Sequence, residues 1–149
     1  ALGAQLIPAG ETVGSAGKKA VKQAVRHPLV LGQQKLLPSV TRAFRPEQTL
    51  HAVAEVYDAA RVGEPARPAL SAQLALYDRS SMVAASRPVE VSEWRNPKLG
   101  SALLHLELPL GGLGAGEYVA QLTVVDRAGR SFAIARAPVA VRSAAALAN

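Results

Sequence analysis

The sequence lacks cysteine altogether and is poor in aromatic residues, with one Trp, three Tyr and two Phe among 149 residues. The absence of cysteine excludes disulfide bonds, thiolate nucleophiles and zinc sites built on cysteine. Carbohydrate-binding surfaces usually present two or three aromatic side chains on one face, so the low aromatic content disfavours that class of site. Glycine, proline and polar residues interrupt every long uncharged stretch, and no segment is predicted to insert into a membrane.

The sequence patterns of common catalytic and metal sites are also missing. No G-x-S-x-G sequence is present, and residues 14–19 (GSAGKK) lack the first Gly and the Ser or Thr of a phosphate-binding loop. His27, His51 and His105 are separated by more than twenty residues, and the alternation around His105 predicts that it faces solvent. We therefore predict that the chain is not an enzyme and has no cofactor and no metal site.

Positive charge is concentrated near the N-terminus. The chain has 17 Lys and Arg against 11 Asp and Glu, a net charge of +6. Residues 18–45 hold seven of the basic residues and no acidic one. Nucleic-acid-binding domains usually spread basic side chains over a folded face with aromatic residues between them. Only Phe44 lies in the basic segment, so we predict a solvated basic segment and no nucleic-acid partner.

From Thr49 onward, apolar and polar residues alternate with a period of two. This alternation is typical of strands that have one buried and one solvated face. Six or seven such strands follow one another without helices between them, which favours an antiparallel sandwich. We predict an all-β, immunoglobulin-like antiparallel β-sandwich over residues 49–142, followed by a tail at residues 143–149.

Residues 1–48 are predicted to be an N-terminal extension that packs on the sandwich or adds one or two strands to it. Residues 1–8 and 39–44 have the composition of short strands, and residues 29–37 resemble a small hairpin. The spacing of Ala and Val in residues 18–27 (KKAVKQAVRH) allows a short helix.

Two local motifs predict structural roles for particular residues. Residues 110–118 (LGGLGAGEY) place Leu113 and Gly116 ahead of Tyr118 at the start of the strongest strand, a pattern of the tyrosine corner of Greek-key sandwiches. The next hairpin is predicted to turn through Asp126 and Gly129, with Gly129 in the left-handed region.

Residues 92–98 (SEWRNPK) form a polar loop that carries the only Trp. An exposed Trp94 beside Arg95 and Lys98 would be a plausible binding site for a partner. The alternative is that Trp94 covers the open edge of the sandwich core. The sequence leaves both interpretations open.

Several stretches resemble the C-terminal β-rich region of VWFA-related (von Willebrand factor A-related) exported bacterial proteins. They are residues 27–30 (HPLV), 35–45 (KLLPSVTRAFR), 50–58 and 137–139, and residues 37–44 are the most specific of them. The resemblance implies an exported protein in which this region follows a von Willebrand factor A domain. The metal-dependent adhesion site of the family belongs to that upstream domain, and no D-x-S-x-S motif occurs here, so no functional residue is carried over.

Taken with the resemblance, these patterns predict a non-catalytic structural or protein-interaction module of a larger exported protein. The expected partner is another protein or a neighbouring domain of the same chain, and the expected location is secreted or at the cell surface. The alternative is a carbohydrate-binding or adhesion module, for which Tyr57, Tyr77 and Trp94 are the available aromatic platform.

Overall fold

All regular structure in the described part of the chain is β-strand. The computed structural model describes residues 1–3, 5–8, 30–31 and 33–143. Over these residues the strands are β1 (Leu2–Gly3), β2 (Gln5–Pro8), β3 (Val30–Leu31), β4 (Gln34–Leu37), β5 (Ala43–Phe44), β6 (Thr49–Val56), β7 (Leu70–Asp78), β8 (Ser81–Ala85), β9 (Val89–Val91), β10 (Ala102–Pro109), β11 (Gly116–Asp126) and β12 (Ser131–Val141). The predicted all-β class is confirmed.

Two sheets pack face to face around one core. The first has the order β1-β6-β10, and the second has the order β5-β12-β11-β7-β8, with β9 also paired to β7. The inward side chains of both sheets form the main core cluster, which comprises Phe44, Leu50, Ala52, Ala72, Leu74, Leu76, Leu104, Leu106, Leu108, Leu110, Ala120, Val124 and Val139. All these side chains are buried, so the predicted β-sandwich is confirmed. Its immunoglobulin-like character stays a prediction.

The N-terminal extension adds strands to both sheets. β1 pairs antiparallel with β6, and β5 pairs parallel with β12. β2, β4 and β3 form a separate three-stranded sheet, in which β3 and β4 are the hairpin that the sequence predicts. The region predicted as a helix, residues 18–27, lies outside the described residues.

The strand predicted over residues 39–44 is shorter than expected. Only Ala43 and Phe44 are in a strand, because Ser39 and Arg42 form a turn before them. The backbone N–H of Arg42 donates to Ser39 Oγ over 3.0 Å, and Arg42 has a φ of 53°, which a strand does not allow. β5 follows this turn directly, and its Phe44 is buried in the main core.

Candidate functional site

Tyr118 makes the hydrogen bond that its motif predicts. Its hydroxyl donates to the carbonyl oxygen of Gly114 over 2.7 Å, four residues upstream. The backbone N–H of Leu113 donates to the carbonyl of Leu110, which is fully buried, and Leu113 packs against the core. Gly116 lies against the Tyr118 ring. These contacts fix the crossover between β10 and β11, which is a structural role.

Replacement of Tyr118 by phenylalanine should lower the free energy of unfolding by about 1 kcal/mol, because the Gly114 carbonyl loses its partner. Tyr57→Phe is the matched control, since the Tyr57 hydroxyl is exposed and donates only to Glu55 over 3.0 Å. Urea titration of both variants measures the difference. Equal losses at the two positions would mean that the Tyr118 bond does not stabilise the crossover.

The hairpin between β11 and β12 differs in one respect from its prediction. Asp126 Oδ1 accepts a hydrogen bond from the backbone N–H of Gly129 over 3.0 Å, as a turn carboxylate does. The residue with a positive φ is Arg130, at 51°, so the prediction that Gly129 takes the left-handed region is wrong. The strands end at Asp126 and resume at Ser131, and in this four-residue connection the left-handed residue is the last one.

Trp94 is half-buried at one end of the sandwich. Its ring packs against a small buried cluster of Ala59, Leu70 and Ala102. The indole N–H donates to the Ala66 carbonyl over 2.8 Å, and the guanidinium of Arg61 lies 5.0 Å from the ring centroid. Trp94 therefore covers the core edge, which is one of the two interpretations that the sequence left open.

Of the two basic residues near Trp94, Lys98 lies in the loop closed by the pairing of Asn96 with Ser101, and Arg95 directly precedes that loop. Arg95 Nε is 3.9 Å from Glu55 Oε1, on the adjacent β6. The backbone N–H of Lys98 donates to Asn96 Oδ1 over 3.0 Å. Arg95 is thus engaged within the chain, and a role of Arg95 and Lys98 in binding stays a prediction.

The most exposed apolar strand is β12. It pairs with β11 along its whole length but with β5 only at Ala140 and Val141. Among the described residues, the other edge of residues 131–139 has no strand partner. Phe132 is 72% exposed and Ile134 is 47% exposed, and both lie on the outer face of the sheet. An open edge with apolar side chains is a template for an additional strand.

The backbone of β12 determines which groups this edge offers. The N–H of Ala140 donates to the Arg42 carbonyl, so even-numbered residues direct their N–H and C=O away from β11. Pro138 has no N–H, and this limits the extent of pairing with β5. Phe132, Ile134 and Arg136 therefore each present an N–H and a C=O along the open edge.

An apolar hollow of about 150 Å³ lies next to this edge, between the two sheets. Its walls include Leu2 of β1, Leu74 and Leu122 of the facing sheet, and the small side chains of Ala135 and Ala137. An apolar cavity of roughly this volume accommodates a benzene ring, so the hollow is large enough for one apolar side chain.

The exposed edge of β12 has a signal in the sequence: the apolar residues change from even-numbered to odd-numbered positions within the strand. Val139 and Val141 are buried and odd-numbered, whereas Phe132 and Ile134 are exposed and even-numbered. Successive side chains of a strand point to opposite faces, so a continuous strand cannot bury both pairs. The alternation by itself did not identify Phe132 and Ile134 as an outward-facing pair.

Two histidines that are far apart in the sequence meet on the outer face of the first sheet. In the register of β6 with β10, Glu107 lies opposite His51 and His105 lies opposite Val53. His51 Nδ1 is 3.0 Å from His105 Nε2, and Glu107 Oε1 is 3.7 Å from each nitrogen. The two histidines are therefore in contact in the folded chain, although 54 positions separate them in the sequence. His51, His105 and Glu107 are called the histidine cluster below.

The histidine cluster should make stability depend on pH. Burial and the neighbouring His51 lower the pKa of His105 below its ordinary value of 6.5, against a smaller opposite effect of Glu107. The unfolded chain then binds more protons than the folded chain just below pH 6.5. The free energy of unfolding should consequently fall as the pH decreases from 6.5 towards the folded pKa.

This dependence can be measured by urea titration across pH with a chelator present. His105→Gln should flatten the fall in stability below pH 6.5, because glutamine does not titrate. Glu90→Gln, at an exposed carboxylate on β9, is the control and should leave the slope unchanged. The same slope in the parent chain and in His105→Gln would contradict the assignment.

Comparison with known proteins assigns the chain to no family. The chain matches no protein-family model and no curated protein sequence. The resemblance to VWFA-related proteins therefore stays a hypothesis. In the part of the chain that the structure describes, no helix is long and apolar enough to cross a membrane.

Proposed function

We propose that the chain is a non-catalytic, immunoglobulin-like interaction module that binds an extended segment of a partner protein along β12. The observation that carries the proposal is the open edge of β12, where three residues present backbone groups beside two exposed apolar side chains. Addition of a strand to such an edge satisfies its backbone hydrogen bonds and places alternate side chains on the two faces.

Three features of the edge define the chemistry of the partner segment. On the inner face, the apolar hollow suits one apolar side chain of an incoming strand. On the outer face, Phe132 and Ile134 favour apolar residues at neighbouring positions. Exposed Arg130 and Arg136 favour a carboxylate in the same segment. The partner is thus an extended segment with apolar side chains on both faces and an acidic residue.

The immunoglobulin-like part of the proposal is supported by the Tyr118–Gly114 hydrogen bond and by the sheet orders β1-β6-β10 and β5-β12-β11-β7-β8. The resemblance to VWFA-related proteins supports a place after a von Willebrand factor A domain in a secreted or cell-surface protein. Both remain parts of the proposal.

The carbohydrate-binding alternative gains no support from the aromatic side chains. Trp94 packs on Leu70 at one end of β7, and Tyr77 lies seven residues along the same strand. At the rise of a β-strand this separation is roughly 23 Å, which is too far for one stacking platform. Tyr57 lies just beyond the end of β6, in the opposite sheet.

The proposal can be tested with a synthetic peptide that has valine on both faces of an extended strand, at successive positions, and a glutamate at one end. Binding should slow amide hydrogen exchange at Phe132, Ile134 and Arg136 by at least about tenfold, because these N–H groups become hydrogen-bonded. Ile134→Pro should abolish binding and retain the fold, since the Ile134 N–H points away from β11.

Met82→Glu is the matched control for the open edge. Met82 is 58% exposed and lies on β8, at the opposite edge of the same sheet. It should leave peptide binding unchanged. Equal protection of the β8 amides, or binding that survives Ile134→Pro, would overturn the assignment of the site to β12.

A further inference from the structure

The three side chains of the histidine cluster come from two strands and converge on one point. His51 lies on β6, and His105 and Glu107 lie on β10. The nitrogen–nitrogen distance is 3.0 Å, and both nitrogen–oxygen distances are 3.7 Å. A point equidistant from the three atoms lies about 2.0 Å from each of them, which is the length of a zinc–nitrogen or zinc–oxygen bond.

The surroundings of the cluster suit a bound ion. The side chains of His51 and His105 are 12% and 27% exposed, whereas that of Glu107 is 57% exposed. The imidazole rings are thus largely shielded from solvent, while solvent can reach the carboxylate side. Two imidazole nitrogens and one carboxylate oxygen are a ligand set that zinc accepts, with solvent at a further position.

We propose that His51, His105 and Glu107 bind a divalent cation of the zinc class. His51 Nδ1, His105 Nε2 and one carboxylate oxygen of Glu107 are the protein ligands. The ion connects β6 to β10 at residues that are 54 positions apart in the chain. It therefore stabilises the pairing of the two longest strands of the first sheet.

Binding of the ion replaces the hydrogen bond between the imidazole rings of His51 and His105. The centroids are 5.2 Å apart and the ring planes are inclined by 23°, so the two facing nitrogens point towards each other. When both rings are neutral, one of these two nitrogens carries a proton and donates a hydrogen bond to the other. That proton moves through solvent to the outer nitrogen of its own ring, and rotation of both rings towards Glu107 directs both lone pairs at the ion.

Cobalt(II) is a suitable probe because its visible absorption reports coordination by nitrogen and oxygen ligands. Titration of the untagged, chelator-treated chain should show one saturable site. Zinc should displace the cobalt and should raise the midpoint of thermal unfolding in proportion to the logarithm of its concentration above the Kd. In zinc, the ¹⁵N resonances of His51 Nδ1 and His105 Nε2 should shift more than those of the other histidine nitrogens.

Loss of a group that only hydrogen-bonds to a metal ligand costs roughly 10- to 100-fold in metal affinity. His105→Gln and Glu107→Gln each remove a ligand itself, so each should weaken cobalt binding by more than that. Glu107 is the safer position, because its exposed side chain can be changed without disturbing the core. Glu90→Gln is the control and should bind cobalt as the parent chain does. Absence of saturable binding, or binding unchanged in both cluster variants, would overturn the proposal.

Discussion

Replacement of Phe44 by alanine should lower the free energy of unfolding by about 3 to 5 kcal/mol, the usual cost of truncating a buried phenylalanine. Phe44 is 1% exposed and belongs to the main core cluster. It reaches the core from β5, where the Phe44 carbonyl accepts a hydrogen bond from the Arg142 N–H and the carbonyl of the preceding Arg42 accepts one from the Ala140 N–H. The change should therefore destabilise the whole sandwich, although Phe44 precedes the regularly alternating strands.

Val40→Ala is the matched control, because Val40 lies in the same segment and is 97% exposed. Its effect should stay within about 0.5 kcal/mol. Chemical denaturation followed by tryptophan fluorescence measures both variants, with Trp94 as the reporter. Small and equal effects would show that β5 contributes little and that the stable sandwich begins at Thr49.

The two-residue alternation was sufficient to predict the central strands. β6, β7, β10 and β11 each have apolar residues on one face, and these residues are the ones that fill the core. The tyrosine motif was equally informative, because the partner of the Tyr118 hydroxyl lies only four residues away. Features that depend on neighbouring residues could thus be predicted from the chain itself.

Features that depend on pairing between distant strands could not be predicted in this way. The histidine cluster exists only because β6 and β10 pair in the register that sets Glu107 opposite His51. A shift of that register by one residue would move the side chains of one strand to the other face of the sheet, so that His51 and His105 would no longer lie on the same face. Nothing in the single sequence selects this register, so the meeting of the two histidines could not be predicted from it.

The parallel pairing of β5 with β12 was missed for a related reason. Only Ala43 and Phe44 form β5, and two residues are too few to show an alternating pattern. Their position depends on the turn at Ser39 and Arg42 and on the N–H of Ala140, which points away from β11 and donates to the Arg42 carbonyl. The sequence predicted that residues 1–48 pack on the sandwich or add strands to it, but it could not single out Phe44 as the residue that enters the core.

Replacement of Asp126 by alanine should lower the free energy of unfolding by about 2 kcal/mol, because both carboxylate oxygens accept backbone hydrogen bonds. Oδ1 accepts from Gly129 within the hairpin, and Oδ2 accepts from Ala60 over 2.8 Å, which ties the segment after β6 to the opposite sheet. Asp78→Ala, at the exposed end of β7, should cost less than about 0.5 kcal/mol in the same urea titration. Asp126→Asn keeps one acceptor oxygen and should fall between them. If Asp126→Ala were no more costly than Asp78→Ala, neither the bond to Ala60 nor the turn bond to Gly129 would contribute measurably to the stability of the sandwich.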